Sequence, residues 1–228
     1  MQPRSISHRI PIVVLISGRG SNLQAIIDQA KCDLPVEIRA VISNRPDVFG
    51  LERAHQAGIP THVVDHRKFG DRSDFDEELM AVIDQYAPEL VVLAGFMRIL
   101  GNGFVAHYRG RMLNIHPSLL PSYRGLNTHQ RALTDDDAVH GASVHFVTNE
   151  LDGGPVIIQA PVPILPGDDV EKLSARVRKE EHVIYPLVIR WFAEGRLRLT
   201  GNKVIMDGRT LTAPINYAEI IHERQASQ

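Results

Sequence analysis

The segment 113-LNIHPSLLPSYRG-125 sets an amide, Asn114, and an imidazole, His116, two residues apart at the end of an apolar run that Pro117 stops. In an extended strand alternate side chains share a face, so Asn114 and His116 point one way while Leu113 and Ile115 point the other. A carboxylate, Asp152, stands beside Gly153 and Gly154 in 143-SVHFVTNELDGG-154, a stretch with little else to explain a charge. Taken singly, His116 is a hydrogen-bonded strand end and Asp152 opens an Asp-Gly turn. Taken together, an amide donor, an imidazole and a carboxylate can stabilise an oxyanion and move a proton. No serine or cysteine joins them as a nucleophile: Cys32 lies in a different loop, and Ser118 follows a proline in a turn. A direct transfer, in which the substrate supplies the nucleophile, therefore fits better than an acyl-enzyme.

A second constellation is 17-SGRGSNLQAII-27, a glycine loop between a buried run and a helical pattern. Backbone N–H groups at such a helix start form an anion site without any basic side chain, which places a phosphate near Gly20, Ser21 and Asn22. The competing reading is a tight turn capped by Ser21 or Asn22. A dinucleotide fits poorly, because Leu23 stands where the third glycine of that fingerprint belongs, and the second strand ends in Asn44-Arg45 rather than an acidic residue. A phosphate monoester fits better than NAD. No metal is expected: the eleven histidines are scattered, with no Cys pair or helical His-x-x-x-His among them.

These side chains need a scaffold, and the first 120 residues supply one by alternating apolar runs with amphipathic stretches. Strands are predicted at 11–17, 36–43, 61–65, 90–95 and 111–116, with helices near 22–30, 48–57, 73–86 and 103–107. After Gly125 come strands at 139–148 and 155–164, joined by the turn 149-NELDGG-154. A helix over about 168–193 follows, which Pro186 should kink or divide. Short strands flank Asp207-Gly208. The pattern predicts an α/β fold: a Rossmann-like, doubly wound, mostly parallel sheet with antiparallel C-terminal strands. Lacking a repeat or a convincing linker, 1–228 is expected to form one domain, its core at about 10–200 and a variable tail at 201–228.

Composition narrows the function classes. At 228 residues, 43% hydrophobic, with a net charge of -2, the chain lacks the electrostatic footprint of a nucleic-acid binder. The single cysteine, the missing apolar core of a signal at 1–11 and the absence of a membrane-length apolar run point to the cytoplasm, with no membrane partner.

The segments 15-LISGRGSNLQAII-27, 92-VLAGFMRIL-100, 114-NIHPSLLPSYRG-125, 143-SVHFVTNELDGGPVI-157 and 180-EEHVIYP-186 resemble the phosphoribosylglycinamide formyltransferase family, from about Ile12 to Leu199. The resemblance implies transfer of a formyl group from 10-formyltetrahydrofolate, as co-substrate, to the amine of glycinamide ribonucleotide in purine synthesis. It implies Asn114, His116 and Asp152 as catalytic groups, Gly20, Ser21 and Asn22 as the phosphate loop, and Glu181 as the carboxylate that holds the nucleotide. Arg72 and the segment Met97, Arg98, Ile99 and Leu100 match folate-binding positions, with Asn114 beside them and 147–152 closing the pterin pocket. Small-molecule substrates and a monomer or homodimer are expected. Two related activities compete: methionyl-tRNA formyltransferases carry an RNA-binding domain after the core, and formyltetrahydrofolate hydrolases carry a regulatory domain before it. Fewer than thirty residues follow Leu199 here, and about ten precede the first strand.

Overall fold

The computed structural model describes residues 9–220. Expectations that fall on 1–8 and on the tail beyond 220 lie outside the described residues.

The strand β1 (Ile10–Ile16) shows why the sheet is parallel at its centre: all seven residues are buried, which requires cover on both faces. Its alternate side chains split between two cores. Ile10, Ile12, Val14 and Ile16 pack with Leu23 and Ile26 of α1 (Ser21–Cys32) and with Leu173, Val177 and Ile184 of α6 (Val170–Ala193). Val13 and Leu15 pack on the other face with Phe75, Leu79 and Ile83 of α3 (Arg72–Asp84) and Phe104 of α4 (Asn102–His107).

Around β1 lie β2 (Val36–Ser43), β3 (Thr61–Val63), β4 (Leu90–Leu93) and β5 (Met112–His116), with α2 (Phe49–Gln56) between the second and third strands. The strands β6 (Val139–Phe146) and β7 (Val156–Pro163) join antiparallel, and β11 (Ile215–Asn216) adds itself in parallel to β7. The sheet order is β11-β7-β6-β5-β4-β1-β2-β3. Chain order reverses between β1 and β4, and at such a switch point the carboxyl ends of the strands splay to leave a crevice.

A small antiparallel sheet of β8 (Leu197–Thr200), β9 (Lys203–Met206) and β10 (Arg209–Thr210) follows. Asp207 and Gly208 turn the chain there with φ of 49° and 79°, as a two-residue hairpin with right-handed twist requires. The expected strands and helices thus appear within a few residues, and three differences stand out. Pro186 does not divide α6, which runs 24 residues through it. Its neighbours Ile184, Tyr185, Val188 and Ile189 are fully buried, and the Tyr185 hydroxyl donates to the carbonyls of Leu93 and Leu113 at 2.9 and 3.0 Å. Packing on the sheet holds the helix across the missing N–H. The other two are a short helix, α5 (Thr128–Thr134), and β11, neither of which the sequence pattern anticipates.

Candidate active site

Asn114 and His116 occupy alternate positions on β5, as their spacing predicts, and both line a cavity of about 790 Å³ at the switch point. His116 is 6% exposed. Its Nε2 lies 2.9 Å from the Tyr123 carbonyl oxygen, which only accepts, so this nitrogen carries a proton. Its Nδ1 faces Asp152 Oδ2 at 3.5 Å. That separation is long for a hydrogen bond, so Nδ1 is held near the carboxylate without being committed to it.

Asp152 arrives from the loop between β6 and β7. Its φ of 47° lies in the left-handed region, where Asp is commoner than most residues. Oδ2 also accepts from the Gly125 N–H at 2.9 Å, tying this loop to the chain that follows His116. Two residues on, Gly154 approaches β6 so closely that a Cβ would stand 1.8 Å from the Phe146 carbonyl oxygen. Glycine is required there for the turn that aims Asp152.

One participant was not singled out by the sequence. Antiparallel pairing sets His145 of β6 opposite Asn114. The Asn114 Nδ2 donates to His145 Nε2 at 3.1 Å, and His145 Nδ1 donates to the Phe146 carbonyl oxygen at 2.9 Å. Both bonds need the neutral ring with its proton on Nδ1. Burial pushes the His145 pKa down, opposed by the Phe146 carbonyl and Asp152. The 3.8 Å approach of His145 Nε2 to Asp152 Oδ1 is therefore a contact with a neutral ring and not an ion pair. His145 fixes the amide of Asn114, whose second hydrogen remains for a ligand in the cavity.

The glycine loop lies on the neighbouring strand end. Gly20 is the N-cap of α1, with φ 69° and no side-chain capping bond, so neither Ser21 nor Asn22 caps the helix. A Cβ on Gly20 would come within 2.7 Å of Gly50 Cα, so the loop needs glycine for both conformation and space. Asn22 instead reaches α6, donating from Nδ2 to Glu181 Oε2 at 3.0 Å, while its buried Oδ1 has no partner. Burial raises the Glu181 pKa, against the pull of Asn22 and Arg178. Gly20, Ser21 and Asn22 line a cavity of about 180 Å³ together with Ser17, Gly95 and Met97. Gly95 and Met97 also line the larger cavity, so the two share a wall.

Met97, Arg98 and Ile99 form one wall of the large cavity with Phe96. Leu100, with Arg98 and Ile99, lines a slot of about 90 Å³ closed by 147–152 and floored by Asn114 and His145. Arg72 lines neither space. It is exposed at the start of α3, its Cδ 3.9 Å from where a Cβ on Gly101 would stand. Opposite the wall, His129 meets His140, Nδ1 to Nε2, at 3.1 Å. Burial, helped by the cost of charging the ring beside His140, lowers the His129 pKa to about 4, and burial lowers that of His140 as well. Among the described residues no group of three or more His, Cys, Asp or Glu could hold a metal ion. None of their helices is long and apolar enough to cross a membrane.

The family pattern described as formyl transferase matches residues 10–189. The chain belongs to that family. It is 60% identical over 208 residues to the phosphoribosylglycinamide formyltransferase of Escherichia coli (strain K12), covering 91% of this chain and 98% of that one. It is 46% identical over 192 residues to the human trifunctional purine biosynthetic protein adenosine-3, where the match spans 84% of this chain and 19% of the larger protein. Among solved structures, the phosphoribosylglycinamide formyltransferase of Coxiella burnetii superposes with a TM-score of 0.89 at 56% identity, over 92% of this formyl transferase and 99% of that chain.

Proposed function

We propose that this formyl transferase moves the formyl group of 10-formyltetrahydrofolate onto the amine of glycinamide ribonucleotide, a step of de novo purine synthesis. One observation carries the assignment: Asn114, His116 and Asp152 stand at a large cavity that shares Gly95 and Met97 with the smaller cavity at the helix start after Gly20. The small cavity suits a phosphate monoester and the buried Glu181 suits a sugar hydroxyl. The large one, walled by Phe96, Met97, Ile99, Leu126 and Leu151, suits a flat heterocycle with an extended tail. The names of the relatives agree with this chemistry.

The donor supplies the formyl carbon. As the substrate amine adds to it, the formyl oxygen becomes an oxyanion, and the Asn114 amide, oriented by His145, is the donor held ready for it. The amine must lose a proton, and the folate nitrogen must gain one as its bond to the formyl carbon breaks. His116 Nδ1 and Asp152 are placed to carry that proton, since Nε2 is occupied by Tyr123. We read 1–228 as one domain with its core at about 10–200, a monomer or homodimer in the cytoplasm, free of nucleic acid and membrane. The near-neutral charge of -2 supports the absence of a nucleic-acid partner.

Purified protein given 10-formyltetrahydrofolate with glycinamide ribonucleotide, with methionyl-tRNA, or with water alone tests the reading through tetrahydrofolate release. Release only with the ribonucleotide is expected. Equal release in water would make the protein a hydrolase, and release only with tRNA would move it to the other transferase class.

A further inference from the structure

We propose that Ser17 is a positioning residue that joins the nucleotide and folate half-sites, so that each substrate strengthens the binding of the other. The inference rests on the assignment of those half-sites made above.

Ser17 follows the last residue of β1 and directly precedes the glycine loop, and it is 3% exposed. Its Oγ accepts from the Met97 backbone N–H at 2.7 Å and donates to Asn44 Oδ1 at 2.5 Å. Asn44, also 3% exposed, directly follows the last residue of β2. Asn44 is anchored in turn, because its carbonyl oxygen accepts from His66 Nδ1 at 2.7 Å. That ring nitrogen is then a donor and is unavailable to the Asn44 Nδ2 that lies 3.2 Å away. The Ser17 backbone N–H meanwhile donates to Gly95 at 3.2 Å.

One hydroxyl thus accepts a hydrogen bond from the wall of the large cavity and donates one to a fixed acceptor. Its backbone runs straight into the loop that would hold the phosphate. Met97 and Gly95 line both cavities, and Ser17 lines the smaller. A ligand that orders the glycine loop fixes Ser17, and through it the Met97 N–H. A ligand that orders the 95–99 wall fixes Ser17 from the other side. Coupling of this kind is reciprocal by thermodynamic necessity. The short paired bonds of a buried network polarise one another, so losing either partner weakens both.

Calorimetric titration of the full chain tests this with a stable folate analogue that lacks a transferable formyl group and with glycinamide ribonucleotide, each added alone and in the presence of the other. In the wild type each ligand should tighten the other by about 5-fold or more, the lower end of usual coupling. In Ser17→Ala both Kd values should weaken by roughly 5-fold or more, since a partly buried N–H loses its acceptor. The mutual tightening should fall toward none. Asn44→Ala should behave alike, the double variant should add little to either single one, and Ser17→Thr should restore the coupling. Asn44→Ala and Ser17→Thr keep the test available if Ser17→Ala does not fold. Independent binding in the wild type, or a Ser17→Ala protein that loses affinity for one ligand alone, would overturn the inference while leaving the assigned reaction standing. A wild type that neither binds nor formylates the ribonucleotide would overturn the reading beneath it, and the inference with it.

Discussion

Replacing Asp152 by Asn alters one charge and almost no volume, which makes it a sharp probe of the proton path. The new amide oxygen can still accept from the Gly125 N–H, now 2.9 Å from Oδ2, so the loop keeps its tie and the fold should persist. What changes is the partner of His116. A carboxylate 3.5 Å from Nδ1 gives way to a neutral amide, while Nε2 stays with the Tyr123 carbonyl. The ring then lacks an anion to balance the charge it gains as the proton moves. Loss of one preorganised electrostatic partner reduces kcat by about 10²–10³-fold, or about 3–4 kcal/mol of transition-state stabilisation. Affinity for either substrate should move only a few-fold, because Asn hardly changes the volume that Asp152 occupies in the cavity lining. Steady-state kinetics with both substrates, beside a thermal melt and a circular dichroism spectrum, measure this. A folded Asp152→Asn enzyme with kcat within a few-fold of wild type would reduce Asp152 to the residue that opens its turn.

Gly20→Val places a β-branched side chain at φ 69° with its Cβ 2.7 Å from Gly50 Cα. It should raise the nucleotide KM about 10-fold or more and lower Tm, while the Kd of a folate analogue measured alone is unchanged; equal losses would displace the phosphate from this loop. His145→Leu removes the acceptor that orients Asn114, so kcat should fall by roughly 10-fold or more with folate KM little altered, and an unchanged kcat would free Asn114 from that dependence. Burial holds His129 and His140 neutral in the fold, His129 down to a pKa of about 4. Because the unfolded chain binds these protons first, near pH 6.5, stability should be full above that pH and fall as the pH drops toward about 4, the value His129 takes in the fold. Urea midpoints between pH 7.5 and 5 should show a shallower fall in His129→Gln, and identical slopes would contradict the shifted His129.

The strand carrying Asn114 and His116 was legible because a strict two-residue alternation admits one arrangement of faces, and Pro117 marks its end. The glycine loop was legible for a similar local reason, since strand, glycine and helix follow within a few residues. His145 escaped notice because its role exists only through register: nothing in SVHFV says which residue of β5 lies opposite. Ser17 is hidden in the same way, its partners Asn44 and Met97 standing 27 and 80 residues off in sequence. Pro186 misleads because propensity describes an isolated helix, whereas α6 is clamped to the sheet by Tyr185. The short α5 starts at Asn127 in a left-handed conformation without a capping bond, and β11 is two residues long, so neither leaves a periodic trace. Arg72, matched through resemblance, lies outside both cavities, exposed at the start of α3.

The central claim is that the formyl group passes from donor to ribonucleotide at Asn114, His116 and Asp152 without resting on the protein. Single-turnover transfer from 10-formyltetrahydrofolate labelled in its formyl carbon tests it most directly. With donor alone, intact-mass and label measurements should find no formylated chain, and on addition of glycinamide ribonucleotide the label should appear wholly in the nucleotide. In Asn114→Ala the same transfer should be slower by about 10²-fold or more. A labelled protein formed before the nucleotide is added, or transfer at the wild-type rate in folded Asn114→Ala, would contradict the account.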